Sequence, residues 1–367
     1  MLKILKKVLT GLIVGVLALV VILAILVYAI TYHPADVQAA DLVCPADAPE
    51  LKPGQELKVL NWNVQYMGSK QYVFWYDVPA GDGPDLRPAP EAIEATFQEV
   101  ARVIRAENPD VILLQEVNEG AANTDYVDQL AGLLERLPAD YRCYSDTFYW
   151  KADFVPHPKV MGSVGMKLAT ISKYKIAQAT RYQLPLIPAD PLSQQFNLKR
   201  AVLESVLPVT GATNGLVALN THLDAFAQGD DTMQRQVNFL NDHMTALKSN
   251  GRAFFISGDF NLLPPGFPLD DLPDFARGYY NPQSELAPLF QNFTSAVPLD
   301  RLIDRNTRAP FYTFFSNNPG VTGPDRTIDH VFFAPPLTLK NYAVRSADTT
   351  AISDHLPMVF TFQLPAR

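Results

Sequence analysis

The strongest pattern along the chain is an unbroken apolar run: residues 8–30 (VLTGLIVGVLALVVILAILVYAI) carry no charge. At ~1.5 Å per residue a helix of that length exceeds the ~30 Å hydrocarbon core of a bilayer. The run therefore predicts one transmembrane helix. Lys3, Lys6 and Lys7 precede it, so the positive-inside rule leaves residues 1–7 cytoplasmic and exports everything after Ile30, into the periplasm if the cell is bacterial. A cleaved signal peptide is the competing reading, because Val37-Gln38-Ala39 resembles a processing site. The run is longer than the ~7–15 apolar residues of such a signal and ends well before that site, which favours the anchor.

Beyond it, short apolar runs recur at residues 57–63, 111–116, 201–207, 216–223, 253–259, 327–333 and 357–362, and these read as strands. Helical periodicity lies between them. Ile93, Phe97, Val100 and Ile104 share one face, as do Met233, Val237, Leu240, Met244 and Leu247. The turn-rich PVTGATNG between two of the strands predicts antiparallel pairing beside βα units, hence an α/β (α+β) chain with a mixed sheet. Residues 31–56 hold Pro34, Pro45, Pro49 and Pro53 and read as an extended extracytoplasmic stalk. Residues 57–367 show no internal repeat and read as one domain.

Composition narrows the partners. Hydrophobic residues make up 48% of the 367, enough for a large core. Without its three N-terminal lysines the chain has 27 basic against 38 acidic residues, a balance of −11. That disfavours nucleic acid as a default partner without excluding it. Cys44 and Cys143 are the only cysteines, so a cysteine-rich zinc site is ruled out. One disulfide and two free thiols both remain open.

Polar residues of chemical interest cluster at predicted strand ends: Asn63, Glu116, His222 with Asp224, Asp259 with Asn261, Asp329, and Asp354 with His355. Oxygen-rich sets of this kind suit a hard divalent cation, Mg²⁺ first and Mn²⁺ or Ca²⁺ next. A phosphate ester is the natural substrate, since its hydrolysis needs a cation, a carboxylate to activate water, and donors for the phosphoryl oxygens.

The motifs NWN, LQE, NTHLD, GDFN, TIDH and SDH, in this order from Asn63 to His355, resemble the endonuclease/exonuclease/phosphatase superfamily with its deoxyribonuclease-I-like fold. The resemblance implies a four-layer α/β/β/α sandwich of two mixed sheets with the active site at one edge. It also implies Glu116 as the main metal ligand, assisted by Asn63 and Asp354. Asp259 would align or activate water, Asn261 and His222 would hold the phosphate, and His222 would also be placed to protonate a leaving group. His355 would be the paired imidazole, its tautomer fixed by Asp329. Gln65 stands where some members carry an acidic residue.

Arg200 and Asp224 are expected near the substrate, Arg200 reaching a phosphate unless it is solvated, and Asp224 serving the site unless it caps the next segment. His330, His243, His157 and His33 read as non-catalytic. The aromatic stretch 66–90 follows the first site strand and is expected to wall the pocket, with Tyr66, Tyr72, Phe74, Trp75 and Tyr76 either contacting substrate or forming a satellite core. The expectation is a membrane-anchored, metal-dependent phosphoesterase, with a phospholipid or sphingolipid headgroup ahead of nucleic acid as substrate. A non-catalytic binding module is the third reading.

Overall fold

A computed structural model describes residues 2–70, 72, 89–225, 229–318 and 320–366. Its strands are β1 (Val37–Ala39), β2 (Asp41–Val43), β3 (Glu56–Asn63), β4 (Val111–Asn118), β5 (Cys143–Val155), β6 (Gly162–Ser172), β7 (Gln178–Gln183), β8 (Ala201–Leu207), β9 (Leu216–His222), β10 (Phe254–Asp259), β11 (Thr294–Ser295), β12 (Asp329–Phe333), β13 (Thr338–Val344) and β14 (Met358–Gln363). They form two seven-stranded sheets, ordered β1-β7-β8-β9-β10-β12-β11 and β13-β14-β3-β4-β6-β5-β2. Parallel pairing of β3 with β4 and of β9 with β10 among antiparallel neighbours makes both sheets mixed, as expected.

Alternation along the central strands builds the layers. Leu57, Val59, Val111, Leu113, Ala218, Phe255, Val331 and Phe360 point between the sheets. Leu60, Trp62, Ile112 and Leu114 face the helices Pro90–Glu107 and Gln129–Arg136. Val217, Leu219, Phe254 and Ile256 face the helix Thr232–Ser249. Burial on both faces explains why these strands read as continuous apolar runs. The result is the four-layer α/β/β/α sandwich.

The helix Leu2–Ile30 stands outside these layers with no described residue buried, and it is long and apolar enough to cross a membrane. The stalk expectation is corrected. Within residues 31–56, β1 pairs with β7, β2 pairs with β5, and Leu51 is fully buried. Cys44 and Cys143 are joined in a disulfide. Three-residue strands with two apolar side chains each are too short to give a periodic signal, yet two sheet edges were available to pair them. Strands β5, β6, β7 and β13 also escaped the sequence reading, their polar and aromatic residues breaking the apolar runs.

Gly258 shows how tightly β9 and β10 approach below the site. A Cβ there would lie 1.9 Å from the Thr221 carbonyl oxygen. Gly258→Ala is expected to destabilise the domain by roughly 1–3 kcal/mol through overpacking, read as a lower urea midpoint with an unchanged slope.

Candidate active site

Strand parity assembles the site. Asn63, His222, Asp259 and Asp329 continue the inward-facing rows of β3, β9, β10 and β12, so all four reach the same edge between the sheets. Beneath them lies a buried carboxamide layer. Gln115 donates to Asn61 Oδ1 (3.0 Å) and Asn220 Oδ1 (2.7 Å), and Asn220 donates to the Leu114 and Ala169 carbonyls. This layer fixes both sheets beneath the site.

Glu116 breaks parity. By alternation it would face the helices with Ile112 and Leu114, but the β4–β6 register shifts between Leu114 and Val117 and Glu116 takes a left-handed φ of 59°. This bulge turns its carboxylate into the site, a use of local backbone strain seen at functional positions. Asn261 also adopts a positive φ, 52°, just past β10.

The centre is Asp259 Oδ2. Asn63 Nδ2 donates to it at 3.1 Å, His222 Nε2 lies at 3.2 Å and His355 Nε2 at 3.4 Å. Its Oδ1 accepts the Asn261 backbone N–H at 2.9 Å. On the far side of His355, Nδ1 meets Asp329 Oδ2 at 2.8 Å, so one imidazole spans two carboxylates. The expected Asp329–His355 pair is present. The segment carrying His355 is docked on β3: Trp62 Nε1 donates to the His355 carbonyl (2.8 Å), Ser353 Oγ to the Asn63 carbonyl (2.8 Å), and the Asp354 N–H to Gln65 Oε1 (2.9 Å).

Electrostatics separate the two imidazoles. Burial opposes charging His355, but the Asp329 and Asp259 carboxylates outweigh it and hold its pKa well above the ordinary value. Burial, with Arg200 and His355 nearby, holds His222 well below it. Burial pushes Asp259 up to about 6. Glu116 is pushed up to about 7, by burial first and then by the charge of Asp354. A carboxylate whose proton affinity is raised by its neighbour Asp354 fits a divalent cation placed between the two. Asp259, Asp329 and His355 also lie close enough to converge on an ion. Both nitrogens of His355 are already turned to carboxylates, however, so that trio is better described as an imidazole hydrogen-bonded to Asp329 and ion-paired with Asp259.

Asn63, whose expected role is to assist the metal, lies at the centre of the site: its Oδ1 accepts the Gln65 N–H (3.0 Å) and its amide bridges Glu116 Oε1 (3.0 Å) and Asp259. One expected placement changes. Asp224 was expected beside substrate, but it is buried behind Arg200: its Oδ1 lies 3.3 Å from Arg200 Nε and its Oδ2 accepts from Gln236 (2.7 Å). It positions Arg200, which is itself buried against the Tyr149 ring (5.0 Å) and lines the cavity.

The sequence reading missed Tyr149 and Lys70. The buried Tyr149 hydroxyl lies 3.3 Å from His222 Nδ1. Lys70 Nζ donates to the Phe315 and Ser316 carbonyls, and burial lowers its pKa to about 8. Neither belongs to a motif, and Tyr149 sits on the unrecognised β5. His330 is structural as expected, its Nε2 2.9 Å from the Leu262 carbonyl, and His243 pairs with Glu204. Tyr66 and Tyr72 are buried edge to face in a satellite core with Leu168 and Leu203. Phe74, Trp75 and Tyr76 lie outside the described residues.

The cavity above Asp259 has a volume of about 280 Å³. Glu116, Arg200, His222, Asn261, Asp354 and His355 form its polar floor, and Trp150, Met166, Phe196, Leu198 and Phe314 form apolar walls.

Comparison with known proteins agrees with this geometry. An endonuclease/exonuclease/phosphatase from Beutenbergia cavernae is 22% identical with a TM-score of 0.57, over 85% of this chain and 72% of that one. The human Nocturnin catalytic domain with bound sulfate is 19% identical with a TM-score of 0.52, over 88% and 96%. An endonuclease/exonuclease/phosphatase from Bacteroides vulgatus is 16% identical with a TM-score of 0.52, over 84% and 99%. These likenesses show the fold. No curated protein sequence matches. The family model of the Endonuclease/Exonuclease/phosphatase family matches residues 60–355, from β3 to the SDH motif, and the chain belongs to that family.

Proposed function

We propose that the chain is a membrane-anchored phosphoesterase that depends on a divalent cation, most simply Mg²⁺, and hydrolyses a phosphate ester outside the cytoplasm. Members of the family are generally hydrolases of phosphoester bonds. The observation that carries the proposal is the convergence of Asn63, His222 and His355 on Asp259 Oδ2 beside the bulged Glu116.

Glu116 and Asp354 would hold the cation, which when bound supplies positive charge for the phosphoryl oxygens and leaving group. Asp259 takes the proton of the attacking water. His355, kept protonated by Asp329, donates from Nε2 to the developing charge, and Asn261 and Arg200 add donors at the cavity edge. His222 is neutral, so it serves as a hydrogen-bond donor oriented by Tyr149 and not as the acid for the leaving group.

The Cys44–Cys143 disulfide supports export, because such bonds persist in oxidising compartments. Apolar cavity walls and the adjoining N-terminal helix favour an amphiphilic substrate, a phospholipid or sphingolipid headgroup, over nucleic acid.

The test is hydrolysis by the purified full chain with and without EDTA. Its substrates are bis(4-nitrophenyl) phosphate, vesicles of phosphatidylinositol phosphates or sphingomyelin, and plasmid DNA. Metal-restored activity is expected, greatest on vesicles. Activity insensitive to EDTA would refute the cation, and preference for plasmid DNA would make the chain a nuclease. Absence of turnover on all substrates with Mg²⁺, Mn²⁺ and Ca²⁺ would leave the binding module.

A further inference from the structure

We propose that the β5–β6 hairpin, with the loop 184–200 beside it, is a membrane-interface surface that presses the mouth of the catalytic cavity against the bilayer holding the N-terminal helix. This rests on the anchor reading of that helix. The connection between helix and domain has no slack. The helix ends at Ile30, Thr31 already bridges to Ala152 of β5, and Val37 already pairs with Tyr182 of β7. The junction is itself ordered: Thr31 Oγ1 donates to the Val27 carbonyl (2.7 Å), His33 stacks on Tyr28 with centroids 3.9 Å apart, and Tyr32 meets Phe148 edge to face. A helix leaving the bilayer at residue 30 therefore brings the β5 edge to the membrane surface with it.

That surface has interfacial chemistry. Phe154 and Met161 on the hairpin are 40% and 60% exposed, and Leu192 on the neighbouring loop is 61% exposed. Lys151 and Lys159 are exposed there together with Asp153 on the hairpin and Asp190 on the loop, so the surface is close to neutral and does not repel a headgroup layer. Among described residues outside the helix, the other large exposed apolar side chains lie on β1, on β2, which pairs with β5, and at Tyr126 and Val127. Those last two follow Ala122, which abuts Gly162 of the hairpin. The exposed apolar side chains thus gather on the side of the domain where the helix attaches.

The same elements wall the active site. Phe196 packs with Ala152, Val155 and Val164, Trp150 Nε1 donates to the Phe196 carbonyl (2.8 Å), and both aromatic rings line the catalytic cavity. An amphiphile can therefore pass sideways from the bilayer along Trp150 and Phe196, its phosphate reaching Asp259 while its acyl part stays among lipids. The surface selects bilayer-resident phosphate esters.

The experiment uses the full chain in vesicles of phosphatidylcholine with phosphatidylglycerol. The two native cysteines are paired, so an environment-sensitive fluorophore goes on Met161→Cys, with Asn341→Cys on β13, the opposite edge of the same sheet, as control. Quenching by shallow spin-labelled lipids is expected at position 161 and not at 341. Equal absence of quenching in chains that resist alkaline carbonate extraction would overturn the docking surface, whereas release by carbonate would overturn the anchor on which it rests. Phe154→Ser/Met161→Ser should slow hydrolysis of vesicle-borne substrate by roughly tenfold through lost interfacial burial and leave soluble bis(4-nitrophenyl) phosphate turnover unchanged. Equal loss on both substrates would refute a docking role. Failure of the unaltered chain on both would remove the phosphoesterase reading, and the quenching result would still decide the surface.

Discussion

Glu116→Gln is expected to abolish most turnover, by roughly 10³-fold or more, because several kcal/mol of transition-state stabilisation depend on the cation it would hold. The substitution keeps the size of the side chain and the hydrogen bond from Asn63 Nδ2 to an oxygen at the Oε1 position. It removes the charge that opposes Asp354, so metal affinity measured by calorimetry should fall while the fold is retained. The free carboxyl is pushed up to about 7 by burial and by Asp354, so cation binding to the unaltered protein should release protons near neutral pH and the variant should release fewer. Unchanged affinity and proton release in a folded Glu116→Gln protein would exclude Glu116 from the cation site.

Asp329→Asn should cost roughly 10²–10⁴-fold, the range of an acid–base group lost from its working state. The geometry gives the sign. His355 lies between Asp329 Oδ2 at 2.8 Å and Asp259 Oδ2 at 3.4 Å, and these charges hold it protonated against the pull of burial. Removing the Asp329 charge lowers the His355 pKa, so the alkaline limb of the pH–rate profile should move to lower pH. The acidic limb, set by Asp259, should move far less. The same raised pKa makes the pair stabilising: that contribution is complete below the ordinary histidine value and fades as pH rises through the raised one. Asp329→Asn should therefore lose more stability at mildly acidic than at strongly alkaline pH. The double variant Asp329→Asn/His355→Ala should be little worse than His355→Ala alone, since the two act as a unit. Additive losses would separate them.

Much of this was legible along the chain because it rests on local rules. A 23-residue uncharged run can be satisfied by a spanning helix whatever surrounds it. Strands buried on both faces leave apolar runs such as LKVLNWN and AFFISGD, and the parity of those runs aims Asn63, His222, Asp259 and Asp329 at one edge. The order of six short motifs then identified the family.

What tertiary structure alone decided depends on contacts distant in sequence. Local alternation would have aimed Glu116 at the helices, and the register shift against β6 turns it into the site. Asp224 carries the expected chemistry, yet Arg200 and Gln236 occupy its oxygens behind the cavity and make it a positioning residue. Tyr149 matters only because β5 brings it 3.3 Å from His222. The stretch 31–56 has the composition of a linker, but two open sheet edges and Cys143 bind it to the domain. Composition sets what a segment can do alone, whereas edge pairing, bulges and buried hydrogen bonds depend on which partner arrives, and that is decided only when the two sheets close on one another.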